Sequence, residues 1–295
     1  MIRQDLSERA AALRGSRVPF VHARVVWAAR PTSAKPGDEA IVLADGTMEG
    51  FVGGECTETT VRQHSLEALF SGESVLLRIT PTPEPGQEGK RVVHNPCLSG
   101  GTVEIFLEPS LPPPLVQVAG DSPTAAALMA LGRPLGFAME PWQGEVRPDA
   151  AGMVVASHGK DERAPLVAAL EAGLPYVALV ASRKRGGAVV SALPVDEEHR
   201  ARVRSPAGLD IGAGTAEEVA LSILAEIVAG RPRQARVGHP LVVDLCTGTD
   251  PVCGMTVVAG GETLHTELGD RTVWFCGPGC QKAFLADPGA YPSGP

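Results

Sequence analysis

Three consecutive prolines, Pro112-Pro113-Pro114, divide the chain. Each fixes φ and lacks an N–H donor, so the run is a stiff connector and marks a domain boundary. Beyond it, strand-length apolar runs alternate with helical ones: Leu115–Ala119, Thr124–Leu131, Gly136–Glu140, Met153–Ser157, Asp161–Ala172 and Tyr176–Ala181. That alternation predicts a parallel sheet with helices on both faces, a Rossmann-like domain over 115–230. Thr215-Ala216-Glu217-Glu218 is a capping box that opens its last helix, Val219–Ala229. With 295 residues there is room for about two domains and an appended module. The expected fold class is α/β. It comprises a small N-terminal α/β cofactor-binding domain (1–111), the Rossmann-like domain (115–230) and a small Cys-rich C-terminal module (246–295).

In the second domain, the first strand-to-helix turn is where a dinucleotide fingerprint would fall, on Gly120, Ser122 and Ala125. Only the first glycine is present, and Asp121 brings negative charge to the pyrophosphate position, although Glu140 is placed like a ribose-binding acid. An NAD(P)-dependent oxidoreductase is therefore the weaker alternative. His158, in Ser157-His158-Gly159, ends the third strand on the edge where such sheets bind ligands, and Gly120 and His158 stand as candidate cofactor contacts. Arg183-Lys184-Arg185 reads as a solvated surface or a phosphate contact.

The N-terminal domain begins with a strand, Phe20–Arg30, in which Val21, Ala23, Val25 and Trp27 alternate with His22, Arg24 and Val26. A hairpin over Ala40–Val52 turns at Asp45-Gly46 and leads into Gly53-Gly54-Glu55-Cys56-Thr57-Glu58, ahead of an amphipathic run, Thr57–Phe70. A glycine pair allows close approach of a ligand to the main chain. A cysteine at a helix mouth has its thiolate stabilised by unpaired N–H groups and the helix dipole. The same logic recurs in Asn95-Pro96-Cys97-Leu98-Ser99-Gly100-Gly101, which feeds the strand Thr102–Glu108. Two soft ligands of this kind suit a soft metal or a metal-bearing cofactor better than a closed zinc knuckle.

The C-terminal module opens with Asp250-Pro251-Val252-Cys253-Gly254-Met255 and closes with Trp274-Phe275-Cys276-Gly277-Pro278-Gly279-Cys280. Cys253, Cys276 and Cys280 form a metal clip suited to zinc or cuprous copper, with Cys246 or His265 as candidate fourth ligands. A module this small buries too little surface to stand without a staple or a docking partner.

A formal charge of -8 argues against general nucleic-acid binding. No apolar run approaches the ~20 residues needed to span a bilayer. The segment Met1–Arg17 mixes charges into a helical pattern and lacks a signal-peptide core, so the expected location is cytoplasmic, with reduced cysteines.

Three motifs carry a resemblance: Gly53-Gly54-Glu55-Cys56-Thr57-Glu58, Cys97-Leu98-Ser99-Gly100-Gly101-Thr102-Val103-Glu104 and Ser205-Pro206-Ala207-Gly208-Leu209-Asp210-Ile211-Gly212. Together, over about Ser16 to Gly230, they resemble the XdhC/CoxI family of accessory proteins for molybdenum hydroxylases such as xanthine dehydrogenase and carbon monoxide dehydrogenase. Asp250 to Tyr291 resembles a YHS domain. The resemblance implies a dimeric, non-catalytic chaperone that binds the molybdenum cofactor (molybdopterin), holds it during sulfuration by a cysteine desulfurase, and delivers it to the apo large subunit of a molybdenum hydroxylase. Carried over by position, the cofactor-binding cysteine is Cys56, with Cys97 the second motif cysteine, and Gly53, Gly54, Glu58, Gly100 and Gly101 flank them. The family's usual motifs read G-G-C and C-G-G; Glu55 and Leu98-Ser99 intervene here, as in a carbon-monoxide-dehydrogenase-type branch. A metal-trafficking protein working through the C-terminal module is the remaining alternative.

Overall fold

The structure is a computed structural model that describes residues 3–95, 101–230, 247–254, 256–259, 263–268 and 271–291. Cys97, Gly100 and Cys246 lie outside the described residues. The chain forms two compact units: 1–112 together with 241–295, and 113–240. The C-terminal segment therefore belongs to the same unit as the N-terminal domain.

In the first unit, helix α1 (Arg3–Gly15) precedes strands β1 (Phe20–Ala29), β2 (Glu39–Leu43) and β3 (Met48–Gly50). Helix α2 (Glu55–Ser71) then leads to β4 (Val75–Thr80), β5 (Arg91–His94) and β6 (Thr102–Ser110). The sheet order is β3-β2-β1-β6-β4-β5, antiparallel throughout except for the β4–β5 pair. Because side chains alternate across a strand, Val21, Ala23 and Val25 join Val61, Leu66 and Leu69 of α2 on one face. Phe20 meets Leu6, Ala10 and Leu13 of α1 on the other.

The alternation expected along β1 fails at its end. The register slips between Val25 and Trp27, a β-bulge that leaves Val26 and Trp27 45% and 43% exposed. Trp27 instead carries the Arg78 guanidinium 5.5 Å from its ring centre.

The second unit runs β7 (Leu115–Ala119), α3 (Pro123–Gly132), β8 (Ala138–Pro141), β9 (Ala150–Val155), α4 (Arg163–Glu171), β10 (Val177–Leu179), α5 (Arg183–Ser191), α6 (Glu197–Ala201), β11 (Val203–Arg204) and α7 (Ala216–Gly230). Its five strands are parallel in the order β11-β10-β9-β7-β8. Val116 and Val118 pack under α3 and α7, and Leu115 and Ala119 under α4, so β7 is buried on both faces as a central parallel strand requires. The one polar side chain in β7, Gln117, is satisfied by the Glu145 carbonyl at 3.1 Å and the Arg147 N–H at 3.0 Å. Thr215 caps α7 as expected, while Glu218 accepts from the Gly214 and Thr215 amides at 2.7 and 2.9 Å.

The described residues of the C-terminal segment form two small antiparallel pairs and one helix. The pairs are β12 (Thr247–Thr249) with β13 (Thr256–Val258) and β14 (His265–Leu268) with β15 (Arg271–Trp274); the helix is α8 (Pro278–Ala286). Val257, Phe275 and Phe284 are fully buried, and the Phe284 ring lies 5.3 Å from Phe275 and 6.3 Å from Tyr291.

Candidate functional site: a four-cysteine cavity at the start of helix α2

Gly54 caps α2 in an extended conformation, and the helix begins at Glu55, two residues earlier than the amphipathic pattern indicated. Cys56 therefore sits inside the first turn, where N–H groups without helical partners and the dipole favour an anionic thiolate. Gly53 has φ +143°, and a Cβ there would press at 3.0 Å on Thr57, so the entry to the helix requires glycine. A buried side chain, Asn95, secures the turn. Its Nδ2 donates to the Cys56 carbonyl at 2.9 Å and to Thr60 Oγ1 at 3.0 Å, and Thr60 Oγ1 donates to the same carbonyl at 3.0 Å. Asn95 Oδ1 is buried and has no hydrogen-bond partner among the described residues.

The C-terminal segment brings its cysteines to this helix end. Cys253 Sγ lies 3.6 Å from Cys276 Sγ, which lies 3.5 Å from Cys280 Sγ. Cys56 lines the same cavity as these three cysteines. Thr59 of α2 ties the two segments by donating to the Cys276 carbonyl at 3.0 Å. The cluster is organised by Asp250, which is fully buried. Its Oδ1 accepts from the Val252 and Cys253 amides at 2.8 and 3.4 Å, and its Oδ2 from the Cys276 amide at 2.8 Å. One carboxylate thus fixes both loops that bear cysteines.

The result is a cavity of about 550 Å³, lined by Cys56, Asn95, Cys253, Cys276, Cys280 and Glu55 among others. That is within the usual range for small-molecule sites. Hydrogen bonding to Cys253 and Cys56, followed by burial, pushes the Cys276 thiol up, and burial pushes Cys280 up to about 12. Both shifts favour the thiol form of Cys276 and Cys280, so a metal would have to displace their protons to bind. Beside it lies a smaller, polar cavity of about 130 Å³, which Glu58 lines; burial raises the Glu58 carboxyl above its ordinary range.

The sequence-predicted residues are distributed as follows. Cys56, Cys253, Cys276 and Cys280 meet in one cavity, and Gly53, Gly54 and Glu58 flank it. Gly101 is held elsewhere for a packing reason: a Cβ on it would lie 2.1 Å from the Pro31 carbonyl oxygen. His265, expected as a candidate fourth ligand, has Nδ1 3.0 Å from the Thr263 carbonyl, and its ring lies tilted against Trp274 with the ring centres 4.9 Å apart. Gly120 and His158 belong to the second unit. Gly120 (φ +114°) admits no Cβ, which would fall 2.5 Å from the Ala156 carbonyl oxygen. Ser122 accepts the Ala125 amide at 3.1 Å, so that N–H of the α3 terminus is already capped by the chain itself. His158 is exposed with φ +53°. Arg185 is engaged by the buried Glu162 at 2.7 Å, which favours the structural reading of that basic run for this residue.

In the third motif, Gly208 (φ +93°) lies where a Cβ would meet Ser222 Oγ at 2.2 Å, and its amide donates to Glu226 at 2.9 Å. Tyr176 donates to the same carboxylate at 2.6 Å. This motif packs β10, β11 and α7 together.

Sequence reasoning missed Asn95 and Asp250. Each stands beside a motif cysteine, and Asp250 followed by Pro251 is the pattern of a side chain that turns back onto its own loop.

Comparison with known proteins agrees with this architecture. Residues 13–80 match the XdhC and CoxI family, and residues 116–227 match the XdhC Rossmann domain. Over 258 residues the chain is 26% identical to the protein YqeB of Escherichia coli K12, covering 76% of this chain and 46% of YqeB; the match thus spans less than half of that relative. A Bacillus halodurans crystal structure described as a xanthine dehydrogenase is 17% identical, covers 79% of this chain and 97% of its own, and superposes with a TM-score of 0.37. So loose an overlap bears on no residue of the site. By the two sequence matches, which fall on the sheet domain of the first unit and on the parallel-sheet unit, the chain belongs to the XdhC and CoxI family.

Proposed function

We propose that the chain is a maturation factor for a molybdenum hydroxylase of the xanthine dehydrogenase or carbon monoxide dehydrogenase type. It binds the molybdenum cofactor, shields it, hosts its sulfuration by a cysteine desulfurase and hands it to the apo large subunit. The observation that carries this reading is Cys56 in the first turn of α2, opening onto a cavity of about 550 Å³. Family membership supports the coarser part, a role in maturing molybdenum hydroxylases.

The residues present fit the metal and pterin end of such a cofactor. Cys56 offers a soft sulfur donor. The buried Asn95 Oδ1 offers an acceptor for a ring N–H. Among the described lining residues there is no Arg or Lys, so nothing there answers the phosphate end by charge. When bound, the cofactor supplies the molybdenum centre that the client enzyme needs. The chain's own part is to present a thiolate stabilised by the helix end, to orient the ring through Asn95, and to keep water away from the metal.

The test is anaerobic mixing of protein and molybdenum cofactor, followed by gel filtration with molybdenum and pterin assayed in the protein peak. Co-elution with the wild type and its loss in Cys56→Ser is the expected result. Retention of the cofactor by Cys56→Ser, with client activation intact, removes Cys56 from the role.

A further inference from the structure

We infer that the second unit holds a ligand site of its own, at the carboxyl edge of its parallel sheet between the ends of β7 and β9. It takes a phosphate group, free or as a small-molecule ester, through Ser157 and the N-terminus of α4. The inference stands independently of the cofactor reading, which concerns the first unit.

Topology chooses the place. Counted along the chain, the five strands lie in the order second, first, third, fourth, fifth, so the winding reverses between β7 and β9. In open parallel sheets the loops that leave two such strands part and form a crevice at their carboxyl ends, where ligands bind. Here those loops are 120–122 and 156–162. At their base they touch: a Cβ on Gly120 would lie 2.6 Å from Ser157 Cα.

The Ser157 hydroxyl carries the proposal. The residue is 5% exposed, and its Oγ has no hydrogen-bond partner among the described residues. Leaving a buried hydroxyl unsatisfied is costly, so a position that keeps one points to a partner from outside the chain. Val155 packs in the core under α4, and Ala156 in the core under α3 and α7. Continued by one residue, this alternation sets Ser157 on the α4 side.

Helix α4 opens without a side-chain cap. The nearest carboxylate, Glu162, is buried and engaged by the Gly159 amide at 3.1 Å and by Arg185 at 2.7 Å. The amides of Arg163 and Ala164, in the first turn, therefore have no helical acceptor. A hydroxyl, first-turn amides and the helix dipole together suit an anion. Across the crevice α3 offers less, because Ser122 already accepts the Ala125 amide. The anion thus belongs on the helix after β9, not on the first helix where a dinucleotide fingerprint would place it.

Charge agrees. The whole chain carries -8, yet the segments 120–122, 156–163 and 180–185 hold five Lys and Arg against three acids. One of those acids, Glu162, is matched by Arg185. Local positive charge on an acidic protein favours an anionic ligand there. Asp121 is the opposing group. Its carboxylate lies 3.9 Å from Lys160 Nζ, with both side chains largely exposed. An anion in the crevice competes with Asp121 for Lys160.

The experiment titrates the full, isotope-labelled chain with inorganic phosphate and, separately, with adenosine monophosphate, and follows backbone amide shifts. Shifts are expected at Gly120, His158, Gly159, Arg163 and Ala164, and none in the first unit. Ser157→Ala should weaken binding at least about tenfold. Its thermal midpoint without phosphate should stay at or above that of the wild type, since the hydroxyl it removes has no partner in the fold. Asp121→Asn should tighten binding about two- to fivefold. Tighter binding of the monophosphate than of inorganic phosphate identifies an ester as the ligand, and equal binding identifies free phosphate. No shifts with either probe, unchanged affinity in Ser157→Ala, or a lowered midpoint in that variant would each overturn the assignment. Weaker binding in Asp121→Asn would overturn it too. None of these measurements involves Cys56, molybdenum or pterin, so their failure is separable from failure of the cofactor reading.

Discussion

At the scale of single residues, Asp250 governs the site most directly. Its two oxygens accept three backbone amides from two loops, and the carboxylate is fully buried. Asp250→Asn keeps the shape but turns one oxygen into a donor that must face a donor. A buried donor or acceptor left unsatisfied costs roughly 1–3 kcal/mol. Hydrogen exchange at the Val252, Cys253 and Cys276 amides should accelerate by roughly tenfold to a hundredfold in this variant. Amides of the second unit should exchange as in the wild type. Unchanged exchange at those three positions would mean that the loops are held by something else.

Elements show what was legible in the sequence and what was not. From β7 to β10 the strands and helices follow the alternation of apolar runs to within a few residues, because a parallel sheet buried on both faces admits little besides Val, Ala, Leu and Met, whereas α5, α6 and β11 have no counterpart in that reading. The capping box at Thr215 and the turn at Asp45-Gly46 are local chemistry and appear where their residues stand. Less was legible where the deciding contact is distant. The bulge after Val25 follows from pairing with β6, and the cavity shared by Cys56 and Cys276 joins residues 220 positions apart, so neither has a local signature. Cys253, Cys276 and Cys280 read as a clip because their spacing is short and their turn is rich in Gly and Pro; that Cys56 lines the same cavity had to come from packing. Helix α8 illustrates how thin that packing is. It buries Phe284 between Phe275 and Tyr291. Phe284→Ala should cost about 3–5 kcal/mol, a large share of what so small a module has. Limited proteolysis should then cut selectively within 247–291 while the second unit stays intact. Resistance equal to the wild type would show that α8 is held by more than its aromatic contacts.

For the whole molecule, the division into two units decides how binding energy is distributed. Each unit has its own core, and all six cysteines fall at positions 56, 97, 246, 253, 276 and 280, none within 113–240. A cation held by Cys253, Cys276 and Cys280, which share a cavity with Cys56, would lie where the two sequence-distant parts of the first unit, 1–112 and 241–295, meet. A ligand that binds only the folded form stabilises it by about 2.7 kcal/mol at a hundredfold excess over Kd. Zinc should therefore slow the exchange of the slowest amides in β1, β6, α2 and α8 by up to roughly a hundredfold, each factor of ten being about 1.4 kcal/mol. Chelation should reverse that. Amides of β7, β9 and α7 should exchange at the same rate in both states, since the parallel sheet gains nothing from a cation it does not hold. Hydrogen–deuterium exchange of the full chain with zinc and with chelator reads both regions in one measurement. Equal protection of both units would mean that they unfold as one cooperative body. Protection confined to 247–291 would mean that the metal staples the C-terminal segment alone and that Cys56 lies outside its reach.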